Sequence, residues 1–175
     1  MSHTRGRIAL GLALAVAAGF PRPAAAQGRA DIMGIARGEI PPAVVIEDLE
    51  GRDVDLGEII GHGPALIEFW ATWCENCAAL HPRLQAAHRR WGDRMSFLAV
   101  AVAVGQNPRS IRRHLKKEPV RYPTLWDAGG RAVRAFHAPV TSYIVVLDAE
   151  GRVTYTGAGR DQDVEAAIRT AFTDS

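Results

Sequence analysis

The apolar positions of the chain form two kinds of pattern, continuous runs and helical repeats. Residues 65–70 and 96–104 are almost entirely apolar, which is typical of strands that a sheet buries on both faces. Between these runs, from about Glu75 to Trp91, apolar residues recur at helical spacing. Pro82 lies inside this helix and removes one backbone hydrogen bond, so we expect a bend near Ala78. The pattern predicts a β-α-β unit at the centre of the domain.

The remaining elements alternate strands with shorter helices. In chain order they are a β-hairpin with strands at 43–46 and 54–56, a helix at 108–117, a strand at 122–126, a helix at 131–136, two antiparallel strands at 143–147 and 152–156, and a last helix. Asp161 is predicted to cap that last helix, whose buried stripe contains Val164, Ala167, Ile168, Ala171 and Phe172. This order predicts an α/β fold with one central mixed β-sheet flanked by helices and an N-terminal β-hairpin.

The N-terminus has the three parts of a secretory signal. Arg5 and Arg7 precede the apolar run 8–20, and prolines and small residues follow at 21–26. We predict a signal peptide at residues 1–26 with cleavage after Ala26, then a flexible lead-in at 27–40 and a single domain at 41–175. The alternative is an uncleaved membrane anchor, but the apolar run is shorter than the roughly 20 residues of a spanning helix.

Removal of the signal changes the charge balance. The whole chain has 21 basic and 19 acidic residues, and cleavage leaves 18 basic ones because Arg5, Arg7 and Arg22 lie within the signal. The mature protein is therefore near neutral, and its charge predicts no binding to nucleic acid or to a membrane surface.

The chain has two cysteines, Cys74 and Cys77, where the strand at 65–70 leads into the helix. A thiolate at a helix N-terminus faces unpaired backbone N–H groups and the positive end of the helix dipole, which favour the charged form. A disulfide across two intervening residues constrains the unfolded chain very little, so a purely structural role explains the pair poorly. We interpret it as a redox pair in which the first cysteine attacks and the second resolves.

The residues around this pair resemble the thioredoxin superfamily, and within it the exported TlpA/ResA-like thiol-disulfide oxidoreductases. The resemblance spans about residues 39–173 and is carried by Phe69-Trp70-Ala71-Thr72-Trp73-Cys74-x-x-Cys77, by Pro82 and by the hairpin Asp148-Ala149-Glu150-Gly151-Arg152-Val153. It implies a thioredoxin-like fold. It also implies that Cys74 is the exposed nucleophile, that Cys77 is the buried resolving thiol, and that Trp73 shields the site.

Three polar residues are expected to tune the pair. Glu68 matches the position of a buried acid in thioredoxins, and an acid within an apolar strand must be paired or have its pKa raised by desolvation. It is a candidate base for the proton of Cys77, unless it faces outward or pairs with a Lys or Arg. Glu75 and Asn76 lie between the cysteines and set the redox poise, and an acid beside a thiolate opposes its formation.

The resemblance also implies a cis-proline across the groove from the cysteines, shortly before the last hairpin. Ser142 falls near this position, and the nearest proline, Pro139, lies three residues earlier. Either an insertion lets Pro139 fill the role, or Thr141 and Ser142 form the site without a proline; we favour the second.

By this resemblance the chain reduces protein disulfides, for example in cytochrome c maturation. Its implied partners are protein thiol or disulfide substrates and an upstream, membrane-bound thiol donor, and we expect no cofactor, metal or nucleic acid. A periplasmic or otherwise exported location follows from the signal. The alternative function is that of a copper-binding metallochaperone, in which Cys74 and Cys77 act with a histidine such as His81 or His137. Copper-binding relatives carry a histidine where this chain has Val140.

Overall fold

The computed structural model describes residues 34–173. Its elements are β1 (Val45–Asp48), β2 (Asp53–Asp55), α1 (Leu56–Ile60), β3 (Ala65–Trp70), α2 (Glu75–Trp91), β4 (Ser96–Val102), α3 (Pro108–Lys117), β5 (Thr124–Asp127), α4 (Arg131–Ala135), β6 (Tyr143–Leu147), β7 (Val153–Ala158), α5 (Val164–Arg169) and a 3-10 turn (Thr170–Phe172).

The strands form one seven-stranded mixed sheet in the order β2-β1-β5-β4-β3-β6-β7. β3, β4 and β5 run parallel, while β6 and β7 pair antiparallel on one side and β1 and β2 on the other. The predicted mixed sheet and N-terminal hairpin are both confirmed.

β3 is the central strand, and all six of its residues are buried. Glu68 lies in register with Ala99 of β4 and with Ile144 of β6. Side chains alternate between the two faces of a strand, so Glu68 and Phe69 project to opposite faces. Phe69 packs against Phe136, which follows α4, with 5.6 Å between ring centroids. The face with Glu68 carries α2 and α3.

Several predicted boundaries are wrong. The hairpin strands lie at 45–48 and 53–55, because Asp48 accepts hydrogen bonds from the backbone N–H groups of Glu50 and Arg52 and so closes the turn. The five-residue helix α1 was not predicted; Asp55 caps it. β4 ends at Val102, and Val104 is 65% exposed.

The last helix begins later than predicted. Asp163, and not Asp161, caps α5 by accepting a hydrogen bond from the N–H of Ala166 at 3.0 Å. Phe172 was expected on the buried stripe but is 37% exposed, and its ring stacks on Trp91 at 5.2 Å between centroids. The stripe is thus shorter than the sequence pattern indicates.

The described part of the predicted lead-in packs against the domain. Ile35 is buried, and its backbone N–H approaches both the carbonyl of Phe136 and the hydroxyl of Tyr143. Gly38 and Glu39 exchange backbone hydrogen bonds with Val153 at 2.8 Å. The predicted signal peptide at 1–26 lies outside the described residues. Between residues 34 and 173 no helix is long and apolar enough to cross a membrane.

Candidate active site

Cys74 and Cys77 form a disulfide at the N-terminus of α2. Cys74 is the N-cap residue, and its sulfur accepts a hydrogen bond from the backbone N–H of Cys77 at 3.0 Å. That N–H belongs to the first turn, where the helix has no internal acceptor for it. The same contact is available to a Cys74 thiolate after reduction, which favours the charged form.

The two cysteines differ little in exposure. Cys74 is 8% exposed and Cys77 is 4% exposed while the disulfide is closed. Both cysteines are thus buried in this oxidised form, whereas the resemblance implies an exposed Cys74.

Glu68 is buried beside the disulfide. It is 5% exposed, and burial raises its pKa to about 8. Among residues 34–173 no Lys or Arg forms an ion pair with it. Within residues 34–173 Glu68 therefore neither faces outward nor pairs with a basic residue, which were the two alternatives to a functional role.

A small cavity connects Glu68 with the cysteines. Its volume is about 30 Å³, and Glu68, Cys74, Cys77, His81 and His114 are among its lining residues. A cavity of this size with several polar groups has room for a water molecule. The disulfide and the buried carboxyl group therefore line the same small cavity.

Trp73 directly precedes Cys74 and is held by the loop after β4. It is 51% exposed, and its ring nitrogen donates a hydrogen bond to the carbonyl of Val104 at 2.7 Å. Gly105 has a φ of +66°, and a Cβ there would lie 3.2 Å from the Trp73 ring nitrogen. A residue without a side chain thus allows the loop after β4 to approach the indole.

An apolar groove lies next to Trp73. Pro139, Val140 and Thr141 line it together with Trp73 and Val104. Trp73, Val104 and Val140 are three of the exposed large hydrophobic residues of the described chain. Exposed apolar surface gathered in one place is typical of a binding site.

Ser142 directly precedes β6 at the end of this groove. It is 1% exposed and has a φ of 61°, and residues 34–173 contain no cis peptide bond. Its hydroxyl accepts from the N–H of Gly159 at 3.2 Å, and its carbonyl accepts from the side-chain amide of Gln162 at 2.9 Å. The loop after β7 therefore holds the backbone where the resemblance implies a proline.

The same loop reaches the residues between the cysteines. Arg160 donates from Nε to the side-chain oxygen of Asn76 at 2.8 Å. Residues 159–162 are thus bonded to both Asn76 and Ser142. Glu75 and Pro82 are exposed and line neither the cavity nor the groove.

Sequence reasoning did not single out three residues that support the site. Gln106 accepts from the N–H of Thr72 at 2.8 Å and donates to the carbonyl of Val102 at 2.7 Å, which joins the loop before the cysteines to the end of β4. The other two are Arg160 and Gln162. All three act through contacts between residues far apart in sequence, and no local pattern marks them.

A disulfide between two cysteines at the start of the helix that follows the central strand of a mixed sheet defines a thioredoxin-fold thiol-disulfide oxidoreductase. The family model described as Redoxin matches residues 36–171, and the chain belongs to that family.

The chain is also similar to proteins that are named as thiol-disulfide oxidoreductases. The chain is 26% identical over 125 residues to thiol-disulfide oxidoreductase ResA from Bacillus subtilis (strain 168), an alignment that covers 71% of this chain and 69% of that protein. It is 24% identical over 138 residues to thiol-disulfide oxidoreductase ResA from Geobacillus thermodenitrificans (strain NG80-2), and 78% of each chain is covered.

Solved structures share the fold. StoA from Bacillus subtilis superposes with a TM-score of 0.62 at 19% identity, over 75% of this chain and 97% of that one. The exposed lipoprotein thioredoxin Etrx1 from Streptococcus pneumoniae strain TIGR4 gives a TM-score of 0.63 at 20% identity, over 75% of this chain and 98% of that one. The thioredoxin-like fold expected from the sequence is confirmed.

Proposed function

We propose that this oxidoreductase works outside the cytoplasm and reduces disulfides in client proteins, with cytochrome c maturation as one such task. The observation that carries the proposal is the Cys74–Cys77 disulfide at the N-terminus of α2, beside the buried Glu68. The signal-like segment at 1–26 supports an exported location, and the named ResA relatives support the oxidoreductase class.

In the reducing direction the dithiol form is the reactant. The Cys74 thiolate attacks one sulfur of the client disulfide, a new bond joins Cys74 to that sulfur, and the other client sulfur leaves as a thiolate. Cys77 then loses its proton and attacks the Cys74 sulfur. The mixed disulfide breaks, the second client thiolate leaves, and the Cys74–Cys77 disulfide forms. The client gains two electrons and the enzyme loses two.

Glu68 is the proposed acceptor of the Cys77 proton. As a carboxylate in the shared cavity it takes this proton directly or through one water molecule. Its raised pKa, about 8, makes the carboxylate a stronger base than an exposed glutamate.

An upstream thiol donor, which we propose to be membrane-bound, reduces the disulfide again. Trp73 and the residues Pro139, Thr141 and Ser142 form the surface on which the client segment rests. Glu75 and Asn76 set the stability of the Cys74 thiolate, and Pro82 shapes α2. The acid Glu75 beside Cys74 disfavours the thiolate, so we expect a reduction potential well below the roughly −120 mV of the strong oxidant DsbA.

The test uses the mature protein and its cysteine variants. Reduced wild-type protein should turn over insulin disulfides with a thiol donor present, and Cys77→Ser should accumulate client mixed disulfides that mass spectrometry detects. Cys74→Ser, the matched control, should form none. Normal turnover by Cys77→Ser would contradict the resolving role.

The same variants separate redox function from copper carriage. A metallochaperone would retain stoichiometric Cu(I) through dialysis and lose it in Cys74→Ser. Cu(I) retention without disulfide turnover would overturn the proposed function.

A further inference from the structure

The cavity beneath the disulfide contains two histidines that the proposed reaction does not use. His81 comes from α2 and His114 from α3, and both line the cavity that holds Glu68, Cys74 and Cys77. His81 lies one helical turn after Cys77, so the two side chains share one face of α2. His81 therefore lines the cavity on the same helix face as the resolving cysteine, and in the oxidised form its ring hydrogen-bonds to Gln85.

The hydrogen bonds of Gln85 fix the tautomer of His81. The side-chain nitrogen of Gln85 donates to the carbonyl of Pro119 at 2.7 Å, and this contact determines which end of the amide is the nitrogen. The same nitrogen lies 3.2 Å from Nε2 of His81. Because an amide nitrogen only donates, Nε2 must accept, and the proton of the neutral ring sits on Nδ1.

The surroundings favour this neutral state. Burial and the neighbouring His114 lower the pKa of His81, and Glu118 at the end of α3 partly opposes them. Nε2 of His114 lies 3.8 Å from the carboxylate of Glu118, and its ring packs on Trp70 at 5.5 Å between centroids. The groups around His81 are thus Cys74 and Cys77 on α2, Glu68 on β3, and His114 and Glu118 on the α3 side.

One negative charge occupies the cavity during resolution. The charge begins on the Glu68 carboxylate and moves to the Cys77 sulfur when Cys77 gives its proton to Glu68. Trp70, Ala99 and Val120 form apolar parts of the wall, so donors for this charge are few. A charge in such a place is costly unless it accepts a hydrogen bond.

We propose that His81 is a positioning residue of the exchange reaction, which during resolution donates its Nδ1–H, directly or through one water molecule in the cavity, to the negative charge shared by Glu68 and Cys77. His81 itself transfers no proton. The proton moves from Cys77 to Glu68, and the Cys77 electron pair forms the bond to Cys74 while the client sulfur leaves. This inference rests on the proposed function, because it concerns its second step.

Ellman's reagent separates the two steps with the reduced, full mature protein. Attack by Cys74 releases the first thionitrobenzoate, and resolution by Cys77 releases the second. We expect His81→Leu to slow the second release about tenfold at neutral pH and to move its pH midpoint upward, because a hydrogen bond to a charged group is lost. The first release should stay within about twofold.

The conservative variant distinguishes donation from packing. Asn places an amide nitrogen at the distance of Nδ1 from the backbone, so His81→Asn should recover most of the second release, and His81→Gln, whose nitrogen lies at the distance of Nε2, should not. The exposed His62 gives the matched control, and His62→Asn should match the wild type in both releases.

Two outcomes would overturn the inference: an unchanged second release in His81→Leu, or an Asn variant as slow as the Gln variant. The comparison of Asn with Gln decides the matter even if the Leu variant does not fold. Absence of a second release from the wild-type protein would instead refute the proposed resolving role of Cys77.

Discussion

Glu68 of β3 faces Ala99 of β4 across the parallel strand pair, so the buried carboxyl group has a methyl group beside it in the sheet. A small neighbour leaves space for the cavity, and it offers neither charge nor hydrogen bond. Desolvation is accordingly the cause of the raised pKa of Glu68, about 8. The carboxyl group should therefore make the stability of the fold depend on pH.

The first prediction concerns stability and pH in Glu68→Gln. The unfolded carboxyl group releases its proton near its ordinary pKa of 4.5, and the folded one near 8. Between these values the native state binds more protons than the unfolded state, so wild-type stability falls as pH rises and levels off above the folded pKa. Glu68→Gln should remove this decline and gain roughly 2–4 kcal/mol relative to the wild type from about pH 5 to about pH 8.

Urea unfolding of the oxidised proteins at several pH values measures this difference. Glu75→Gln, which changes an exposed acid on α2, is the control and should follow the wild-type curve. Parallel curves for Glu68→Gln and the wild type would contradict a strongly raised pKa.

The second prediction concerns the position where the resemblance implies a proline. Ser142 has a φ of 61°, whereas proline is fixed near −65°. Ser142→Pro should therefore lower the free energy of unfolding by about 3 kcal/mol or more. Ser142→Gly accepts the conformation and loses only the two hydrogen bonds of the hydroxyl, so it should cost about 1–2 kcal/mol. A proline variant as stable as the wild type in thermal unfolding would refute the left-handed backbone.

The third prediction concerns Gln162, whose side-chain amide donates to the carbonyls of Ser142 and Gly159 at 2.9 Å and 2.8 Å. Gln162→Leu leaves the buried carbonyl of Ser142 and the half-buried carbonyl of Gly159 without this donor and should cost about 2 kcal/mol in urea unfolding. Gln162→Glu keeps the shape but places an oxygen against those carbonyls, so it should destabilise at least as much. A stable Glu variant would mean that packing alone fixes this loop.

The fourth prediction concerns Gly105 and Trp73. Gly105→Ala adds a methyl group 3.2 Å from the indole nitrogen at a residue with positive φ. Gly51 has a φ of +84°, and a Cβ there would meet nothing within 4 Å, so it is the matched control for the conformational cost alone, about 1–2 kcal/mol. Gly105→Ala should cost more than Gly51→Ala in urea unfolding, and the excess should disappear in a Trp73→Phe background. An equal excess in both backgrounds would show that the indole is not the group displaced.

The sequence predicts the centre of the molecule well because consecutive residues carry the signals for the central strand and the helix after it. Residues 65–70 form an unbroken apolar run with one acid, which is sufficient to predict a buried strand with an unusual Glu68. The start of the next helix at the cysteines is also predictable, because the position of the cysteines and the helical periodicity of the following residues indicate the same start. These signals lie within about two dozen consecutive residues.

The rim of the site is not predictable in this way. Asn76 and Arg160 are 84 residues apart, and neither carries a pattern that points to the other. Val104 is apolar like the strand before it, yet it is exposed beside the groove, and hydropathy cannot separate these two environments. Asp161 and Asp163 are both good capping residues, and only the packing of α5 selects between them.

The contact between Gly34 and Tyr143 has a consequence for how the domain is attached to whatever precedes it. A Cβ on Gly34 would lie 2.0 Å from the Tyr143 hydroxyl, so the chain passes directly over that ring. Tyr143 follows Ser142 and begins β6. Force applied through the N-terminal segment would therefore reach the sheet at the strand that follows the groove-lining residues 138–141, which makes the start of β6 a mechanical link between that segment and the groove.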